Sequence, residues 1–130
     1  HPMYRRQRQM CIRDRLCFLS KNNKKTQIFD EIDRGVGGAT ASAIGKRLLQ
    51  LSKHEQVLVV THSPQVAAYS DNHLKVEKIN LGNSTKTKVD TLNQERIVRE
   101  IARMLSGELI TSEALAAAET LRRSSRMEAS

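Results

Sequence analysis

The run Gln56-Val57-Leu58-Val59-Val60-Thr61 narrows the choice of fold more than any other stretch of this chain. Four consecutive aliphatic residues in a strand put apolar groups on both of its faces, the pattern of a parallel sheet covered on both sides. Upstream, Thr26-Gln27-Ile28-Phe29 is too short for periodicity to identify by itself. Its β-branched and aromatic content, and the glycines that follow, favour a second strand. Between the two, a helical pattern starts near Thr40 and places Ala41, Ile44, Leu48, Leu49 and Leu51 at helical spacing. Gly45 costs that helix about 1 kcal/mol relative to Ala, and His54-Glu55 closes it.

After the aliphatic run, Pro64 fits a first helical position behind a Ser63 cap, with a short helix to Ser70. His73 to Ile79 and Lys86 to Leu92 each alternate polar and apolar residues around a Gly82-Asn83-Ser84 turn, which predicts an antiparallel hairpin. Asn93 to Leu105 carries Ile97, Val98, Ile101, Met104 and Leu105 on one helical face. A last helix is expected from about Thr111 to Arg123, with an Ala-rich face suited to close packing. Strand, helix, strand, helix, strand makes this an α/β chain.

At 130 residues it is one small domain or a piece of a larger one, since domains commonly run ~100–150 residues. The net charge of +8 raises a nucleic-acid reading. That charge is concentrated: residues 1–25 hold eight Lys/Arg against one Asp, whereas 26–130 hold fourteen against thirteen acids. The first fifteen residues show neither helical nor strand periodicity. They read as a nucleic-acid-binding arm, as a disordered solvated tail, or as sequence not native to the gene, because Gln9-Met10-Cys11-Ile12-Arg13-Asp14-Arg15 resembles a translated sequencing adapter. They are excluded from fold reasoning on that account. Leu16-Cys17-Phe18-Leu19 reads as the last turn of a helix. Cys11 and Cys17 match no metal-ligand spacing and are expected to be free thiols in a reducing cytoplasm. No apolar run approaches the ~20 residues that span a bilayer, and no membrane partner is expected.

Three acids close the first strand: Asp30, Glu31 and Asp33. Strand alternation would send Asp30 and Glu31 to opposite sides, so the pair can divide two tasks. Asp30 is the candidate Mg²⁺ ligand, because magnesium prefers oxygen donors and keeps several waters. Glu31 is the candidate for orienting or deprotonating a water that attacks a γ-phosphate. An acidic cap that happens to follow an apolar run would look the same. Two features favour chemistry. If the sheet is parallel, His62 ends the next strand at the same edge, where open α/β sheets bind ligands. Gly35, Gly37 and Gly38 permit close backbone approach to a nucleotide, which a single ordinary turn would not need three times over.

Ile28-Phe29-Asp30-Glu31-Ile32-Asp33, then Gly35-Val36-Gly37-Gly38-Ala39-Thr40-Ala41, then Val57 to Ala67 with His62-Ser63-Pro64-Gln65, together resemble the C-terminal part of the bacterial RecN family of DNA repair proteins, SMC-like members of the ABC-type ATPases. The likeness runs over about residues 16–125, with 126–130 a tail. It implies the C-terminal lobe of a P-loop ATPase head, with parallel strands, flanking helices, a β-hairpin and C-terminal helices. It also implies ATP and Mg²⁺ as cofactors, DNA and a second head as partners, and a bacterial cytoplasmic, nucleoid-associated location. On the matching positions, Asp30 is implied to be the Walker B aspartate, Glu31 the catalytic carboxylate and His62 the switch histidine. Asp33 through Ala39 are implied to be the D-loop region, which in this superfamily crosses the dimer interface toward the opposite nucleotide, with Asp33, Gly35, Gly37 and Gly38 as the cofactor-binding residues. Arg34 stands where the family pattern would place Thr.

No GxxxxGK[ST] phosphate loop and no heptad arm occurs in these residues. No ABC signature precedes Asp30, and Leu105-Ser106-Gly107-Glu108 lies out of family order and reads as a helix ending at Gly107. A truncated lobe, inactive without the groups that cradle the phosphates, is therefore expected. The alternative from another class is a non-catalytic basic module that binds nucleic acid through residues 1–25.

Overall fold

The computed structural model describes residues 25–129. The expectations for 1–15, for 16–19 and for both cysteines lie outside them. Strands β1 (Thr26–Asp30) and β2 (Gln56–Val60) pair in parallel, from Thr26 opposite Gln56 to Asp30 opposite Val60. Helix α1 (Gly38–Ser52) connects them and buries Ala41, Ile44, Leu48, Leu49 and Leu51, the stripe predicted by its spacing. With Phe29 and Val66, the Ala41, Ile44, Leu48 and Leu51 of this stripe form one apolar core. Gly45 faces the ring of Tyr69, so closely that a Cβ there would stand 2.5 Å from the ring carbon Cδ2. The propensity lost at this glycine therefore buys a tight contact.

Among the described residues the opposite face of β1 and β2 is uncovered, with Ile28 66% and Val60 56% exposed. Coverage on both faces is not found among the described residues, because they supply a helix for one face only. Alternate side chains of the aliphatic run consequently remain in water.

Helix α2 (Pro64–Ala67) opens on its proline as expected. Ser63 sits at the N-cap position without capping through its side chain; its hydroxyl donates to Gln65 Oε1 at 3.1 Å. Strands β3 (His73–Leu81) and β4 (Ser84–Leu92) form the expected hairpin, extended inward to a Gly82-Asn83 loop in which Gly82 has φ 68°. Helices α3 (Gln94–Ser106) and α4 (Ser112–Glu128) start at side-chain caps, Asn93 accepting from the Arg96 N–H and Thr111 from that of Ala114. A capping oxygen replaces one partner missing from the first turn. Helix α4 continues beyond the expected end at Arg123.

A second core joins Ala67, Ala68, Leu92, Ile97, Ile101, Ala102, Ala114 and Ala118, so the small residues of α4 do allow close approach. The short α2 touches both cores and holds the segment after β2 between them. Arg122 strengthens that hold. It is buried, and its Nη1 donates to the carbonyls of Ala68 at 2.7 Å and Ser70 at 2.6 Å.

Candidate active site at the carboxyl edge of the parallel strands

Parallel pairing brings the C-terminal ends of β1 and β2 together, and with them Glu31 and His62. Glu31 still donates its backbone N–H to Val60 at 2.8 Å, but its φ of 46° takes it out of the strand. Left-handed backbone is uncommon for a residue with a side chain, and such strain gathers at functional sites. The alternation expected of Asp30 and Glu31 therefore fails at the second residue. Asp30 is exposed at the end of the strand, whereas Glu31 is turned so that its Oε1 lies 3.7 Å from His62 Nδ1. Arg34 Nη1 approaches the other carboxylate oxygen, also at 3.7 Å. An acid thus stands between an imidazole and a guanidinium, each more than 70% exposed in its side chain, at an edge open to solvent.

Asp33 behaves differently. It is 5% exposed, and its Oδ2 accepts a hydrogen bond from the Thr61 hydroxyl. Thr61 Oγ1 in turn accepts the Ser63 N–H at 2.9 Å. The carboxylate faces inward, toward the segment that carries His62. Of the three glycines in the turn, Gly35 alone adopts a left-handed conformation, φ 72°. Gly37 is the N-cap of α1 with ordinary extended backbone, and Gly38 begins the helix. Gly35 and Gly37 face open space, so their backbone is approachable from outside.

A divalent cation finds little here from the protein alone. Among the described residues no three or more His, Cys, Asp or Glu side chains gather as a cation site. Asp30 fits as a single carboxylate ligand of a magnesium whose other ligands are phosphate and water, the usual way this ion is held. A cavity of about 480 Å³ lies between α1, β2 and the start of β3, lined in part by Leu48, Val57, Val59, Thr61, Tyr69 and Leu74. Neither Glu31 nor His62 lines it.

No family model matches the chain. Over 98 residues it is 50% identical to the DNA repair protein RecN of Rickettsia prowazekii (strain Madrid E), a match covering 75% of this chain and 18% of that protein. It is 50% identical over 101 residues to RecN of Streptomyces coelicolor, with 78% of this chain and 18% of the relative covered. With RecN of Haemophilus influenzae the identity is 49% over 96 residues, 74% of this chain and 17% of the relative. The chain belongs to the RecN family. It spans about 18% of the length of the RecN relatives it matches. A solved SMC ATPase, described for ATP-driven dimerization and DNA-stimulated activation, superposes with a TM-score of 0.53 at 23% identity, covering 65% of this chain and 49% of that one. The fold of this RecN segment is accordingly that of part of an SMC-type ATPase head.

Two contacts at this edge were not legible in the RecN-type motifs. Thr61 reads as the last residue of a strand, and its hydroxyl between the aliphatic run and His62 was the available signal. Arg34 reads as a departure from the family pattern, and its three-residue spacing from Glu31 pointed to the contact only once the turn was known.

Proposed function

We propose that these residues form the hydrolysis edge of a longer RecN-type ATPase that acts in recombinational repair of DNA double-strand breaks. The observation that carries this reading is the meeting of Glu31 and His62, 3.7 Å apart, at the C-terminal ends of two parallel strands. Ligands bind at that edge in open α/β sheets.

In this reading Asp30 is the Walker B carboxylate that helps to hold Mg²⁺, and the ion with ATP supplies the polarised phosphate. Glu31 orients the attacking water and accepts its proton, with strained backbone fixing its direction. His62, at the neighbouring strand end, contacts the γ-phosphate oxygens. Asp33, Gly35, Gly37 and Gly38 form the D-loop-like turn, the glycines offering exposed backbone to a nucleotide held across a head dimer and Asp33 fixing the turn. A second copy of the head and DNA are the partners, in keeping with the dimerization and DNA stimulation described for the SMC neighbour. No described helix is long and apolar enough to cross a membrane. A bacterial cytoplasmic location at the nucleoid suits a DNA substrate.

In the full-length protein, Glu31→Gln should leave ATP binding within about threefold of the parent and lower turnover by a factor of about a thousand, the scale of removing a general base together with water positioning. Nucleotide titration and single-turnover hydrolysis measure the two. Loss of binding would remove the assigned role of Glu31. The 130-residue chain alone should show no Mg²⁺-dependent turnover, since it contains no phosphate loop.

A further inference from the structure

We infer that Asp33 is a positioning residue: through Thr61 it ties the turn that carries Glu31 to the turn that carries His62, and so sets the placement of one side chain against the other. The inference rests on the ATPase reading for its catalytic consequence, though not for the link itself.

Glu31 and His62 cannot fix each other. Their 3.7 Å separation is longer than a hydrogen bond, and their side chains are 43% and 73% exposed. Contacts of that kind contribute little in water. The half-buried link behind them, which ends on the buried Asp33, is of another sort. Thr61 Oγ1 donates to Asp33 Oδ2 and accepts the Ser63 N–H at 2.9 Å, closing residues 61–63 into a turn with His62 at its middle. On the other side, the Arg34 N–H donates to Glu31 O at 3.1 Å and the Val36 N–H to Asp33 O at 3.3 Å, closing the turn that follows Glu31. One threonine hydroxyl therefore joins two hydrogen-bonded turns, each bearing one of the two candidate groups.

The cost of the arrangement supports a role beyond packing. An acid in a glycine-rich turn would ordinarily sit in water, and burying a carboxylate is unfavourable unless its oxygens are bonded. Asp33 is 5% exposed, and its Oδ1 has no hydrogen-bond partner among the described residues. Incompletely bonded buried groups in native structures call for an explanation. Holding the two turns in register is the function this geometry offers.

The test compares Thr61→Val, which removes the hydroxyl at nearly constant shape, with Thr61→Ser, which keeps it, in the full-length protein alongside Asp33→Ala and the Asp33→Ala/Thr61→Val double variant. Thr61→Val should lower kcat by about ten- to a hundredfold with KM for ATP changed by less than about twofold, the effect of misplacing groups by fractions of an ångström. Thr61→Ser should stay within about threefold of the parent, and the double variant should be no worse than the poorer single one, because coupled residues are not additive. Equal loss in Ser and Val variants, additive losses, or a KM that rises as far as kcat falls would overturn the inference. Hydrogen exchange across residues 61–66, read without nucleotide, gives a separate readout: exchange should quicken in Thr61→Val and not in Thr61→Ser. If Glu31→Gln leaves hydrolysis intact, the ATPase reading fails and this exchange comparison alone judges the link, with equal exchange in both variants overturning it. If Asp33→Ala does not fold, the Thr61 pair still decides.

Discussion

Gly45 shows how a residue that weakens its own helix can serve the packing around it. A glycine in a helix interior costs about 1 kcal/mol against alanine, yet Tyr69 lies where a Cβ would go, and its ring is buried at 6% exposure. The ring is tied at both ends rather than walled in: its hydroxyl donates to Glu128 Oε2 at 3.0 Å and its backbone follows the short α2. Gly45→Ala should therefore destabilise the chain by about 1–2 kcal/mol, since overpacking of about 1–3 kcal/mol outweighs the propensity gained. The midpoint of urea unfolding reads this directly, and a rise in stability would show that Tyr69 can move aside. Glu31 is a second residue whose conformation departs from its type, with left-handed backbone at the one position where direction matters for the proposed chemistry.

The junction of α3 with the hairpin turns on charge rather than on apolar packing. Glu100 lies in the middle of α3 and is 8% exposed, although glutamates are almost never so buried unless paired. Arg103 Nη2 stands 2.6 Å from its Oε1, and Lys75 Nζ on β3 stands 3.2 Å from its Oε2. Burial alone would raise the Glu100 pKa, but hydrogen bonds from Arg103 and Lys75 together outweigh it and hold the carboxyl below the usual value of 4.5. Nearby, burial pushes His73 below its ordinary 6.5, with Glu100 opposing and Arg122 adding to the shift.

Both signs run the same way. A depressed folded pKa means that the unfolded chain binds the proton more readily, so stability is present above the unfolded value and lost on acidification. His73 should begin this loss as pH falls below about 6.5 and Glu100 should continue it below about 4.5. In unfolding curves measured from pH 7.5 to 3.5, His73→Gln should flatten the upper part and Glu100→Gln the lower. An unchanged profile in Glu100→Gln would show that its partners do not favour the ionised form.

At the scale of the whole molecule, the described residues are two cores joined through α2, with one side of the parallel strands left open. Ile28 and Val60 present apolar surface there, and Leu58 beside them is 44% exposed. An exposed apolar strand face of this kind favours association between copies. Ile28→Thr with Val60→Thr keeps the β-branched shape, and the pair should raise the concentration at which the 130-residue chain aggregates while changing its stability by no more than about 0.5 kcal/mol. Light scattering against concentration checks the first and urea unfolding the second. In a longer RecN-type protein whose further residues cover this face, the same pair should be clearly destabilising.

Local pattern was enough for most of the architecture. The spacing of Ala41, Ile44, Leu48 and Leu51 identified α1, the alternation around Gly82-Asn83 identified the hairpin, and Ile97 and Ile101 identified the buried face of α3. Each depends on side-chain period and turn chemistry, which neighbouring residues carry in full. The candidate groups Asp30, Glu31 and His62 were legible for a related reason, because a polar residue that ends an apolar strand must lie at the sheet edge. Tertiary structure decided what those groups meet. Twenty-eight positions separate Asp33 from Thr61 and fifty-four separate Ala68 from Arg122, and no periodicity links residues so far apart. The left-handed turn at Glu31, the burial of Asp33, the pairing of Glu100 with Lys75 and the single covered face of β1 and β2 arise from how separate elements pack. Sequence by itself thus determined which elements form and which side chains reach the edge; the contacts that hold those side chains in place exist only once the chain has folded back on itself.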